Sequence, residues 1–213
     1  MASSPPARLG GAQIVEDDGR TVLVAGGALQ SVSPTDSAEW GSYWAAMVPP
    51  FKPQRALLLG LGGATMAHLL VRRFGEGTEI TGVDDDPAIL QTVREAGWLE
   101  VPGLTVHEAD AFEFVRTTTQ RFDYVAIDLY RGPRFPAAAS NAPFLDAVRD
   151  ILDKPGWLAI NFYGPAATKS RLERLRQRFN IEHTLTVGEN LVVHGQLRLA
   201  PLEQPGVRVS RIR

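Results

Sequence analysis

The chain has no cysteine, which excludes disulfides, thiolate nucleophiles and Cys-ligated zinc. Histidine is scarce: His68, His107, His183 and His194 lie far apart and form no HExxH-type pair, so no metal is expected. Long apolar runs are missing too. The longest, Ala56 to Val71, is interrupted by Gly60, Gly62, Gly63, Thr65 and His68, and falls short of the ~20 residues a membrane span needs. Residues 1–10 hold small residues and paired prolines, with no apolar core of signal-peptide length. A cytoplasmic protein with no membrane partner is expected. Nor is there an excess of one charge: the net charge of −2 offers no general attraction to nucleic acid. What is present, 44% hydrophobic and 22% charged residues, is ordinary globular composition.

Residues 1–10 read as a disordered N-terminus, 11–50 as a small β-hairpin and helix region, 51–200 as the main domain and 201–213 as a loose tail. In the second region, Gln13–Glu16 and Thr21–Val24 flank the turn-forming Asp17-Asp18-Gly19-Arg20, and a third strand is expected over Ala28–Ser33. A helix is expected from Asp36 to Val48, capped near Thr35 or Asp36 and stopped by Pro49-Pro50. From Arg55 strands and helices alternate. Strands are predicted at Arg55–Leu59, Glu79–Val83, Leu104–His107, Phe122–Ile127 and Trp157–Phe162. The helices between and after them are predicted to end near Phe74, to open at Pro87, and to span Ala111–Arg116, Pro143–Leu152 and Ala166–Phe179. Strands near Ile181–Val187 and Leu191–Leu199 close the chain as a hairpin about Gly188-Glu189-Asn190. The predicted class is α/β: a doubly wound, mostly parallel seven-stranded sheet of methyltransferase type, ending in an antiparallel hairpin. The basic helix carrying Lys169, Arg171, Arg174, Arg176 and Arg178 reads as a solvated face, since the chain as a whole is not basic.

Ligands of such sheets sit at the carboxyl ends of the strands. The first parallel strand ends in Gly60-Leu-Gly62-Gly63-Ala-Thr65, where glycines let backbone approach a ligand closely. The second ends in Val83-Asp84-Asp85-Asp86-Pro87. A carboxylate there can accept hydrogen bonds from both ribose hydroxyls of a nucleoside, with Asp84 the best candidate and Asp86 a helix cap. Asp110, after the third strand, can take an adenine amino group or cap the helix that follows. Asp128 ends the fourth strand after five apolar or aromatic residues. A carboxylate buried there is costly without partners, which marks it as functional. Tyr130 and Tyr163 read equally as acceptor-pocket walls or as packing. Trp40, Tyr43 and Trp44 read as a possible roof, or more often as core.

The stretches Ala25-Gly-Gly-Ala-Leu-Gln30-Ser, Leu57-Leu-Leu-Gly60-Leu-Gly62-Gly63, Val83-Asp84-Asp85-Asp86-Pro87, Ala109-Asp110-Ala111 and Phe122-Asp-Tyr-Val-Ala-Ile-Asp128 occur in an order and spacing that resemble the spermidine synthase family. The resemblance runs from about Gln13 to Phe162. It implies that residues 13–33 are a reduced form of the family's N-terminal β-domain and that the donor is S-adenosylmethionine or its decarboxylated form. By the same resemblance Gln30, Gly60, Gly62, Gly63, Asp84, Asp85, Asp110 and Ala111 bind that donor. Asp128 would assist attack by the acceptor, beside Tyr130, Arg131 and Tyr163, and a homodimer is implied.

Two departures stand out. The family's glycine turn usually reads GGGDG, its aspartate holding the amine of the decarboxylated donor, and this chain has Gly63 there. The family's loop after the fourth strand carries a second aspartate for the cationic acceptor, where this chain has Arg131. Two like charges about 4 Å apart repel by roughly 4 kcal/mol at intermediate dielectric, which opposes putrescine if Arg131 faces it. The expected activity is therefore transfer of an aminopropyl or methyl group to a small-molecule nucleophile. The alternatives are an S-adenosylmethionine-dependent small-molecule methyltransferase and a non-catalytic adenosyl-binding module. A nicotinamide oxidoreductase is disfavoured by the broken glycine pattern and the terminal hairpin.

Overall fold

The computed structural model describes residues 11–35, 42–132, 134–166 and 168–198. The expected disordered start, the loose tail and the first part of the Asp36–Val48 helix fall outside them. Strands β1 (Gln13–Asp17), β2 (Arg20–Ala25) and β3 (Ala28–Val32) form an antiparallel sheet. Helix α1 follows at Tyr43–Met47. Its cap is Ser42, while Thr35 is hydrogen-bonded to Ser33 instead. The main body then runs β4 (Arg55–Leu59), α2 (Thr65–Phe74), β5 (Glu79–Asp84), α3 (Pro87–Glu95), β6 (Leu104–Glu108), α4 (Ala111–Thr117) and β7 (Phe122–Ile127). It continues with α5 (Ala142–Ile151), β8 (Leu152–Tyr163), α6 (Lys169–Arg176), β9 (Phe179–Val187) and β10 (Asn190–Leu197). The seven strands lie in the order β6-β5-β4-β7-β8-β10-β9. The first five are parallel, and β10 runs antiparallel to both its neighbours. This is the predicted methyltransferase-type sheet.

Burial explains the uninterrupted apolar strands. In β4, Leu57 and Leu59 face a layer built from α4, α5 and α6, with Val115, Phe144, Leu145, Val148 and Leu175. Ala56 and Leu58 face the opposite layer, built from α1 and α2 with Leu90 of α3. A strand covered on both sides needs apolar residues at successive positions, each leucine contributing about 1.5–3 kcal/mol when buried. The small sheet is fastened separately. Leu23 and Ala25 pack on Ile89 and Val93 of α3 and on Trp98, and Thr92 Oγ1 donates to the Ala12 carbonyl (3.3 Å).

Two further elements, β8 and α6, depart by three residues or more from the sequence-based expectation. β8 begins at Leu152 rather than Trp157, because Leu152 already pairs with Phe122. Pairing becomes irregular around Pro155, which has no N–H to donate, and resumes at Tyr124–Trp157. Helix α6 spans Lys169–Arg176 instead of Ala166–Phe179. Thr168 caps it, accepting from Arg171 N, and Phe179 leaves the helix to join the β9–β10 ladder. Its ring is almost fully buried there, so tertiary packing outweighs helical continuation. Among the described residues no helix is long and apolar enough to cross a membrane.

His194 of β10 ties α1 to the sheet. Trp157 Nε1 donates to His194 Nδ1 (2.8 Å), so the proton sits on Nε2, which donates to the Ala46 carbonyl (2.7 Å). The His183 ring stacks on it with centroids 4.4 Å apart. Burial, with His183 adjacent, lowers His194 from its ordinary 6.5 to about 4. The folded state therefore binds fewer protons than the unfolded chain between those values, and stability falls as pH drops through that window. The linkage amounts to about 3 kcal/mol once both states are protonated. Urea midpoints measured from pH 7 to pH 4 should decline accordingly, and His194→Gln, which does not titrate, should flatten that part of the decline.

Candidate functional site

Strand order reverses between β4 and β7, and the crevice at that switch point is a cavity of about 860 Å³. Its floor is set by backbone. Gly60 sits at φ +85, and a Cβ there would lie 2.2 Å from the Asp128 carbonyl oxygen. Only glycine allows the tips of β4 and β7 to pass this closely. The Gly60 and Leu61 amides both donate to the Val83 carbonyl (2.9 and 3.1 Å), tying the turn to β5 as well.

The acidic tips converge on this crevice. Asp84 ends β5, with Oδ2 accepting from Gly62 N (2.8 Å) and Oδ1 from Asp86 N (3.1 Å). Burial pushes its carboxyl above the ordinary value, opposed by those two amides and reinforced by Asp85 and Asp86. Asp86 caps α3 through Ala88 N and Ile89 N, as the sequence suggests. Asp110 both lines the cavity and caps α4: its Oδ1 accepts from Phe112 N (2.7 Å) and Glu113 N (3.1 Å). Ala111 forms the adjoining wall. Gln30 lines the cavity from the small sheet, its Nε2 donating to the Ala25 carbonyl (3.2 Å).

Asp128 lines the cavity from the tip of β7. Tyr43 Oη donates to its Oδ2 (3.0 Å) and Asn161 Nδ2 donates to its Oδ1 (3.0 Å). Burial raises the Asp128 carboxyl, and these donors offset part of the rise. Tyr43 is raised well above its ordinary value by burial and then by the neighbouring Asp128 charge, so it stays protonated and donating. Tyr130 accepts from Tyr163 N (2.6 Å), and its own hydroxyl points at the Asn161 carbonyl (3.4 Å). Tyr163 lies at the rim and donates to Glu189 Oε2 (2.6 Å).

Gly63 is not among the residues that line the cavity. Its amide donates to Ser31 Oγ (2.7 Å), and a Cβ there would meet Ser31 Cβ at 2.6 Å and Trp98 Cε3 at 2.8 Å. The volume a side chain would need is already filled. Arg131 lines the cavity but does not turn toward Asp128: Nη2 pairs with Asp85 Oδ2 at 2.6 Å, the two side chains being 71% and 44% exposed. Asp85 is thus engaged in a rim ion pair. Such an exposed pair contributes at most about 1 kcal/mol.

Sequence reasoning left two residues out of the site. From sequence Tyr43 reads as roof or core and not as a partner of Asp128, because nothing local links a residue on α1 to the tip of β7. Asn161 left a legible trace: an amide inside the otherwise apolar run Trp157–Phe162. Among the described residues no group of three or more His, Asp or Glu side chains is placed to hold a metal ion.

No family model matches the chain. Over 116 residues, 53% of this chain and 38% of the relative, it is 26% identical to the polyamine aminopropyltransferase of Vibrio vulnificus (strain CMCP6). Over 138 residues, 62% of this chain and 30% of the relative, it is 27% identical to a probable polyamine aminopropyl transferase of Bifidobacterium longum (strain NCC 2705). The matches therefore span about a third of these relatives' length. Among solved structures, a probable spermidine synthase from Corynebacterium glutamicum ATCC 13032 superposes with a TM-score of 0.69 at 18% identity, covering 91% of this chain and 81% of that one. Human methyltransferase-like protein 13, solved with SAH, gives a TM-score of 0.61 at 22% identity, covering 73% and 76%. A spermidine synthase in complex with the transition-state analogue AdoDATO gives 0.62 at 14% identity, covering 90% and 75%. At these identities the structural likeness is one of fold.

Gly60→Ala should lower thermal and urea midpoints by the equivalent of about 2–4 kcal/mol, since it combines left-handed strain with a backbone clash. Gly75→Ala, where φ is +73 but nothing lies within 4 Å, should lose less.

Proposed function

We propose that the chain is a spermidine-synthase-like member of the adenosylmethionine-dependent methyltransferase superfamily and transfers an alkyl group from an adenosyl sulfonium donor to a small-molecule nucleophile. One observation carries this reading: Asp84, Asp110 and Asp128, from three successive strand tips, line a single open cavity beside the Gly60–Gly62 bend. The residues fit an adenosyl group. Each Asp84 oxygen accepts one backbone amide and keeps a lone pair for a ribose hydroxyl. Asp110 uses Oδ1 for its cap, leaving Oδ2 for the base. Gly62, with φ +52, presents no side chain toward the ligand.

A sulfonium donor brings an already activated carbon. The chain's own residues then have to align the nucleophile and take its proton. Asp128 is suited to the second task. Its burial favours accepting a proton, and Tyr43 and Asn161 hold the carboxylate in one orientation.

Methyl transfer from intact S-adenosylmethionine is the second reading, favoured by Gly63. No carboxylate stands there to hold the amine of a decarboxylated donor, and Ser31 with Trp98 fills the space. Arg131 bears on the acceptor: with its charge fastened to Asp85 at the rim, it supplies no anionic grip for the distal ammonium of putrescine. A non-catalytic module has no use for a carboxylate raised by burial and held by two side-chain donors.

Calorimetry with S-adenosylmethionine, its decarboxylated form, methylthioadenosine and NAD tests the assignment. The adenosyl thioether and sulfonium ligands should bind at least tenfold tighter than NAD; equal or reversed preference would overturn it. Asp84→Asn should weaken methylthioadenosine by roughly tenfold or more, because an amide nitrogen would face backbone donors. Asp128→Asn should lower turnover by about 10²-fold or more with donor affinity nearly unchanged. In the parent protein turnover should fall on the acid side as the raised Asp128 carboxyl takes up its proton.

A further inference from the structure

The last carbonyls of α1 have no partner within a helix of five residues, and the chain cannot supply one to Ala46 locally: four positions on stands Pro50, which has no N–H. The sheet supplies the donors instead. His194 Nε2 reaches the Ala46 carbonyl and Tyr124 Oη the Met47 carbonyl, each at 2.7 Å. The Tyr124 strut is permanent, because burial, with the Asp128 charge adding to it, holds the phenol protonated far above its ordinary value. The His194 strut is conditional. Its Nδ1 accepts from Trp157 Nε1 at 2.8 Å only while that nitrogen is bare. A proton there sets donor against donor and places a charge against the His183 ring, stacked at 4.4 Å and 18°. From β9 the titratable group facing His194 is His183. β8 meets it with Trp157 and Ala159 and carries its ionisable residues, Asp153, Lys154 and Tyr163, at its ends. Helix α1 and β7 contribute the Tyr43 and Tyr124 hydroxyls.

We infer that His194 is a positioning residue for Asp128 and acts through α1: its bond to the Ala46 carbonyl fixes the turn that carries Tyr43, and with it a donor that orients the carboxylate. This rests on reading the cavity as a transferase site. Tyr43 lies three residues before Ala46, and the turn between them is closed by Ala46 N donating to the Ser42 carbonyl at 3.3 Å. A shift of Ala46 therefore carries Tyr43 with it, since a helix this short has no stiffness of its own. Movement of about 1 Å takes the Tyr43–Asp128 pair, now at 3.0 Å, out of hydrogen-bond range. Asp128 then keeps Asn161 and loses its other side-chain donor, so burial is less opposed and its carboxyl holds a proton more firmly. Neither His194 nor Trp157 lines the cavity, so the path to Asp128 runs through the helix. Acid has the same effect as deleting the ring: as His194 takes up its proton near 4, the Trp157 bond is lost and the seat of α1 loosens.

Titration of the Asp128 carboxyl ¹³C resonance in the parent protein, in His194→Leu, His194→Gln and Tyr43→Phe, and in the double variant His194→Leu with Tyr43→Phe, tests the strut. His194→Leu removes both bonds of the ring and should move the Asp128 midpoint upward by as much as Tyr43→Phe does. The double variant should move it no further, because both changes remove one and the same donor. His194→Gln keeps an N–H for the Ala46 carbonyl and should leave the midpoint near that of the parent. Should His194→Leu fold poorly, the Tyr43 ζ-carbon resonance gives a second measurement: in the parent it should show a step with the midpoint of the His194 ring, and that step should be absent from His194→Gln. An Asp128 midpoint unmoved in His194→Leu, shifts that add in the double variant, or a Tyr43 resonance that stays still while His194 titrates overturns the inference and leaves the transferase reading intact. Failure of methylthioadenosine to bind the parent protein overturns that reading, and the inference with it.

Discussion

The site depends first on the close passage of Gly60 against the carbonyl of Asp128. It lets β4 and β7 diverge from a shared line of hydrogen bonds, with Asp128 N still bonded to the Leu59 carbonyl at 2.9 Å, and opens the crevice between their tips. The glycine turn is anchored on its other side by the Val83 carbonyl, and Asp84 reaches back to Gly62. Three strands thus position one loop, and the loop in turn spaces the carboxylates. A side chain at Gly60 would move Asp128 and the turn together, so the cavity and the fold depend on the same few atoms.

Crowding several aspartates around one cavity is unfavourable, and the structure distributes the penalty unevenly. Asp86 and Asp110 are held by helix N-termini, where amides and the helix dipole favour negative charge. Asp85 shares its charge with Arg131 in solvent. Asp84 and Asp128 are left with raised carboxyls because burial outweighs their hydrogen bonds. Both of these raised carboxylates line the cavity, where a ligand that donates hydrogen bonds or protons would use them.

The roof is built from far away. Helix α1 is only five residues long and could not hold its shape alone. It is held by His194 and Tyr124, whose ring nitrogen and hydroxyl take the Ala46 and Met47 carbonyls at its end, each at 2.7 Å. This seat places Tyr43 over Asp128. Residues on β10 and β7 therefore determine a contact between α1 and the catalytic candidate, although none of them would be singled out by sequence pattern.

Sheet class and the location of the crevice were legible in the sequence, because buried parallel strands demand apolar runs and their glycine and aspartate ends follow from local rules. Arg55–Leu59, Phe122–Ile127 and the opening of α3 at Pro87 fall where expected. Boundaries failed where partners at long range decided them: Leu152 pairs with Phe122, and Phe179 joins a ladder instead of its helix. Residue type and order alone thus specified the fold class and the acidic strand tips. Only tertiary structure decided that Gly63 faces Ser31 and Trp98 and that Arg131 turns to Asp85, and only it brought Tyr43 and Asn161 to Asp128. Those contacts join residues from 32 to 85 positions apart, and their geometry exists only after the sheet has closed.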